Sequence, residues 1–169
     1  MSESIEVHGH ALWVTKHVRP AARGALRRDD ARNLLRRTLE SYVQRGEITV
    51  YAWAFLPARV ELIVSPPQGR PLPPVMTDLF AYFTRRFNAR YGRTGPLMRS
   101  RFVRRVLVGP QAIASAIEAV ERLPSLLELK RRSGGEPWGS GRSFGSRRRD
   151  DRVAMRKPGP VPTPIAAEA

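Results

Sequence analysis

The stretch YAWAFLPARVELIV, residues 51 to 64, constrains the fold more than any other part of the chain. It joins two apolar runs, ITVYAWAF (48 to 55) and RVELIV (59 to 64), across the three residues Leu-Pro-Ala. Two β-rich runs with so short a break predict an antiparallel hairpin. In the second run Arg59 and Glu61 alternate with Val60, Leu62 and Val64. Alternation puts residues i and i+2 on one strand face, roughly 6 to 7 Å apart, so the charged pair and the aliphatic residues take opposite faces. On a strand with one wetted face such a pair is ordinary, and exposed it contributes only about 0 to 1 kcal/mol.

Hydrophobic period supplies the neighbours of that hairpin. ALWVTKHV (11 to 18) alternates and predicts a first strand. Ala31, Leu34, Leu35, Leu39, Tyr42 and Val43 recur at helical spacing, with Asp29 or Asp30 as a cap and Gly46 as the stop. SPPQGRPLPP reads as a loop, after which Met76, Leu79, Phe80, Phe83 and Phe87 mark a second helix to about Tyr91. FVRRVLV (102 to 108) is a fourth strand, and from Pro110 the residues Ile113, Ala116, Ile117 and Val120 mark a third helix. The order β-α-β-β-α-β-α predicts an α+β, ferredoxin-like antiparallel sheet with an additional C-terminal helix. Helices on one face would leave Arg59 and Glu61 on an open one.

The 169-residue chain is the length of one domain, and its 41% hydrophobic content suits a globular core. The expected organisation is a flexible N-terminus (1–10), a folded domain (11–130) and a basic Gly/Ser/Pro-rich tail (131–169), disordered for want of apolar area, with the domain end falling near 130 or 140 and Trp138 a candidate to dock back. No apolar run reaches the roughly 20 residues of a membrane span, and no secretory signal is visible, so the expected location is the cytoplasm, with the nucleoid. There are no cysteines, which excludes disulfides, thiolate zinc sites and thiol catalysis. His8, His10 and His17 all lie near the N-terminus and are read as solvated or strand-surface residues, not as a metal site.

Charge points to a partner. Thirty Lys+Arg face 15 Asp+Glu, for a formal net charge of +15. Such an excess is the footprint of a polyanion, because neutralising phosphates releases counterions. Residues 130 to 157 hold ten of these basic residues against three acids, yet residues 1 to 129 still hold twenty against eleven. The folded part is basic in its own right. Only Lys16, Lys130 and Lys157 are lysines; an arginine bias suits bidentate phosphate contact, and a high-GC genome produces the same bias.

The blocks YAWAFLPARVELIV, RRFNARYGRTGPLMRSRFVRRVLVGP and ASAIEAVERLP together resemble the REP-associated tyrosine transposases, a single-tyrosine HUH group, from about Trp13 to Lys130. The resemblance implies DNA transposition through cleavage of single-stranded DNA. In that family the strand matching residues 59 to 64 carries His-hydrophobic-His, which holds a divalent metal such as Mg or Mn that polarises the scissile phosphate. A tyrosine on the last helix attacks, and a polar residue one turn later, commonly Asn, completes the metal site. Carried over, these positions are Arg59, Glu61, Ala119 and Leu123. None has the required group: alanine has no nucleophile, and a guanidinium cannot coordinate a metal.

No tyrosine follows Tyr91, so no shift of the last helix restores the nucleophile; Tyr82 and Tyr91, around the second helix, read as packing residues. Arg59 would then sit where the metal's positive charge belongs, paired with Glu61. Arg85, Arg86, Arg90 and Arg93 on and just past the second helix, Arg99 and Arg101 on the following turn, and Arg104 and Arg105 on the fourth strand are the candidate nucleic-acid contacts. Trp13, Tyr51 and Trp53 share a strand phase and are candidates for base stacking or for the core. The sequence thus reads as a transposase-like protein that binds single-stranded or hairpin DNA, catalytically inactive and needing no cofactor. Two alternatives stay open: an active tyrosine transposase with a non-standard site, and a ferredoxin-like RNA-binding module.

Overall fold

The structure, a computed structural model, describes residues 11–67 and 69–141. Its elements run β1 (Ala11–His17), α1 (Asp29–Gln44), β2 (Thr49–Phe55), β3 (Arg59–Ser65), α2 (Leu72–Tyr91), β4 (Val103–Leu107) and α3 (Pro110–Leu126). The strands form one antiparallel sheet in the order β2-β3-β1-β4. This is the expected α+β, ferredoxin-like topology with its added helix.

Local chemistry sets the helix ends. Arg28, extended and without a side-chain cap, precedes α1, so Asp29 and Asp30 are first-turn residues and not the expected cap. There their carboxylates meet the positive end of the helix dipole. α2 begins at Leu72, inside the stretch expected as loop, because Pro73 and Pro74 fall in a first turn that needs no amide donor. Gly92, with φ 59°, closes α2 in the left-handed conformation that glycine adopts without strain.

α1 and α2 cover one sheet face. Leu35, Leu39 and Val43 of α1 and Met76, Leu79, Phe83 and Phe87 of α2 pack with Leu12, Val14, Val60, Leu62 and Val64. The opposite face was expected to be open, and it is not. The apolar stripe of α3, Ile113, Ala116 and Val120, packs there against Ala52, Ala54 and Ile63, where alanines allow a close approach. α3 lies mainly over β2 and β3.

A register shift between Val50 and Ala52 corrects a second expectation. One extra residue reverses the phase of the strand beyond it. Trp53 therefore joins the α1–α2 core, 1% exposed and with its ring 4.3 Å from Phe55, while Trp13 and Tyr51 pack on the α3 side.

Residues 131–141 are also packed, so the folded part ends nearer the later of the two expected boundaries, with Trp138 docked. The Phe55 amide donates to the Trp138 carbonyl (2.7 Å) and the Ser140 amide to the Trp53 carbonyl (2.9 Å), covering the outer edge of β2. Trp138 is buried, with the Arg32 guanidinium 3.8 Å from its ring centre. The expected flexible N-terminus (1–10), with His8 and His10, and the remainder of the expected tail (142–169) lie outside the described residues. Among those described, no helix is long and apolar enough to cross a membrane.

Candidate nucleic-acid interface

Arg59 and Glu61 share a strand face, as alternation requires, but they are not the exposed pair the sequence suggested. Glu61 is 5% exposed. Its Oε1 accepts from Arg59 Nε at 2.6 Å; its Oε2 accepts from Trp13 Nε1 at 2.8 Å and from Thr15 Oγ1 at 2.6 Å. The β1–β3 register sets Thr15 directly across from Glu61 and His17 across from Arg59. Three donors satisfy a carboxylate that would be costly to bury without them. The arginine is thereby held by its Nε, with a third of its side chain in solvent.

That chemistry does not fit a divalent metal. The carboxylate's oxygens are engaged by donors, and the neighbouring group is a permanent cation. Among the described residues no cluster of three His, Cys, Asp or Glu could hold an ion.

A groove between α3 and the β1–β4 side of the sheet is lined by Trp13, Arg105, Leu107, Ser115, Ala116 and Ala119. Ala119 thus stands on the same side of the sheet as Glu61, joined to it through Trp13. Leu123 packs against the apolar cluster under α3. Arg105 lies across from Trp13 in the register, its guanidinium 4.8 Å from the indole centre. Trp13 and Tyr51 pack against the cluster under α3, and Trp53 is withdrawn into the other core.

The eight arginines named above do not form one surface. Arg86 and Arg90 border a groove between α1 and α2, where Arg90 pairs with Asp30 at 3.3 Å and Arg86 lies 5.8 Å from the Tyr82 ring. Arg85 and Arg99 face each other across another groove, between α2 and residues 95–100. Arg93 is half-buried with its guanidinium 6.0 Å from the Phe87 ring. Arg101 is exposed. Arg105 shares the Trp13 face, whereas Arg104, one residue earlier in the strand, takes the other. Tyr82, 40% exposed, lines the α1–α2 groove, and Tyr91 packs against Phe87, ring centres 4.5 Å apart at a 51° tilt, under Arg28.

Two buried cations escaped the sequence reading. Arg32 donates to the carbonyls of Leu26, Arg27 and Glu136 and to Asp29, tying residues 131–141 to α1. Lys16 is 5% exposed on the α2 side of β1. Its signal was present, since it shares the phase of Leu12, Val14 and Val18.

No protein-family model matches the chain, and no curated protein matches it. Among solved structures, that of a REP-associated tyrosine transposase bound to a REP hairpin is similar over 100% of this chain and 98% of that one, with a TM-score of 0.61 and 16% identity. A protein of Deinococcus radiodurans R1 proposed to be a transposase is similar over 72% of this chain and 97% of that one, with a TM-score of 0.49 and 14% identity. At such identities the likeness is one of fold.

Proposed function

We propose that this chain is a transposase-like protein of the REP-associated kind that binds single-stranded or hairpin DNA and does not cleave it. The observation that carries the second half is the Glu61 network. At the position where the resemblance implies a metal there is a guanidinium fixed by a fully engaged carboxylate. Arg59 keeps positive charge on the sheet face that α3 covers and supplies no Lewis acid; Ala119, in the groove lined by Trp13, offers no nucleophile. Phosphate contact survives, and phosphoryl transfer does not. The likeness of fold to a hairpin-bound transposase and the net charge of +15 support the DNA partner.

The test compares a DNA hairpin with an RNA hairpin of the same sequence at matched salt, followed by a gel for covalent adducts with and without manganese. Tighter binding of the DNA hairpin, and no adduct, are expected. A preference for RNA would favour the RNA-binding reading, and an adduct dependent on Tyr82 or Tyr91 would overturn the inactive one. In the combined variant Arg59→His, Glu61→His, Ala119→Tyr and Leu123→Asn, manganese binding should appear by calorimetry, because positions 59 and 61 share a face that α3 borders.

A further inference from the structure

Lys16 carries a charge that the fold does not compensate. Its Nζ donates to the Ser100 carbonyl at 3.0 Å and lies 5.5 Å from the Phe80 ring centre. An ammonium has three donors, and burying one without an anion is costly. Desolvation pushes its pKa down from the ordinary lysine value. A neutral side chain could hold the Ser100 carbonyl without that cost.

The lysine lines the groove between α2 and residues 95–100, together with Thr77, Thr84, Arg85, Arg99 and Ser100. Among the described residues lining it none is acidic. Arg85 and Arg99 are exposed. The loop carrying Arg99 and Ser100 is fixed in place: the Arg99 amide donates to the His17 carbonyl (2.8 Å), and Met98 bridges to Val18. The α1–α2 groove differs, because Asp29, Asp30 and Glu136 stand among its arginines.

We propose that the Lys16 groove is a phosphate-binding site, in which a phosphodiester of the bound nucleic acid takes the Lys16 ammonium at one oxygen and the Arg85 and Arg99 guanidiniums at the others. The phosphate supplies the anion that the buried ammonium lacks. The identity of the phosphate rests on the DNA-binding reading above; the existence of an anion site does not.

The test uses the full chain and its Lys16→Met variant. Inorganic phosphate, compared with chloride at equal ionic strength, should raise the melting temperature of the wild type and leave Lys16→Met unmoved. Hairpin DNA should bind Lys16→Met about tenfold more weakly, with the salt slope reduced by about one. The double variant Arg85→Gln, Arg99→Gln, which alters only exposed positions, should weaken hairpin binding in the same direction even if Lys16→Met does not fold. Equal phosphate stabilisation of wild type and Lys16→Met would overturn the site. A phosphate effect that depends on Lys16, with unchanged hairpin affinity in both variants, would overturn the assignment to nucleic acid. If the wild type binds no hairpin, the DNA-binding reading fails, and the phosphate arm alone decides the site.

Discussion

At the scale of single residues, the Glu61 carboxylate concentrates the consequences. Glu61→Ala would leave Trp13 Nε1 and Thr15 Oγ1 without their acceptor and Arg59 without its partner. We expect a loss of about 3 kcal/mol by chemical denaturation, the scale for breaking a buried pair by removing one member. Arg59→Met with Glu61→Leu removes both charges but still leaves Trp13 Nε1 and Thr15 Oγ1 without an acceptor, so it should cost less than Glu61→Ala only by the share due to the unpaired Arg59. A double variant as destabilised as the single would place the cost in the orphaned Trp13 and Thr15 donors and the packing around them, not in the ion pair. Lys16 is the opposite case. Its burial is unpaired, so Lys16→Met should melt at or above the wild-type temperature, even as phosphate binding falls.

At the scale of elements, residues 131–141 act as an edge strap on β2. Trp138→Ala should destabilise the protein by about 3 kcal/mol, the range for emptying a buried aromatic site, and should remove the stacking partner of Arg32. Gly139→Ala tests the close approach, because a Cβ there would lie 2.7 Å from the Trp53 carbonyl oxygen. Faster hydrogen exchange at the Phe55 and Ser140 amides would report the undocked strap. Burial by itself would raise the pKa of Glu136, but hydrogen bonds from Arg36 and Asn33 outweigh it and hold the carboxyl below the ordinary range. A depressed folded-state pKa gives stability that is complete above the unfolded value and lost as pH falls through the folded one. The stability gap between wild type and Glu136→Gln should therefore narrow in acid below the ordinary glutamate range. The composition of this strap is that of a tail, and Trp138 is its one anchor visible in the sequence; a buried arginine and a bare strand edge complete its ordering.

At the scale of the whole molecule, electrostatics sets the expected behaviour toward nucleic acid. Hairpin affinity should fall steeply with salt, and truncation after Gly141, which removes seven Lys+Arg and three acids, should weaken binding and flatten that slope while the domain still melts cooperatively. Loss of the cooperative melt on truncation would place part of the fold in residues 142–169. The order of elements was legible in the sequence because period, turn residues and helix stops act locally. Arg59, Glu61, Ala119 and Leu123, at the positions the resemblance marks, are likewise read directly from the chain. Three matters depended on residues distant in sequence. Whether the face of Glu61 was open turned on where the stripe of α3 found a partner, and alanines on β2 accepted it. Whether Trp53 stood with Trp13 turned on one extra residue in β2, which periodicity does not reveal. Whether Lys16 was a surface cation or a buried one turned on α2 closing over β1, because burial is a property of the packed neighbours and not of the residue.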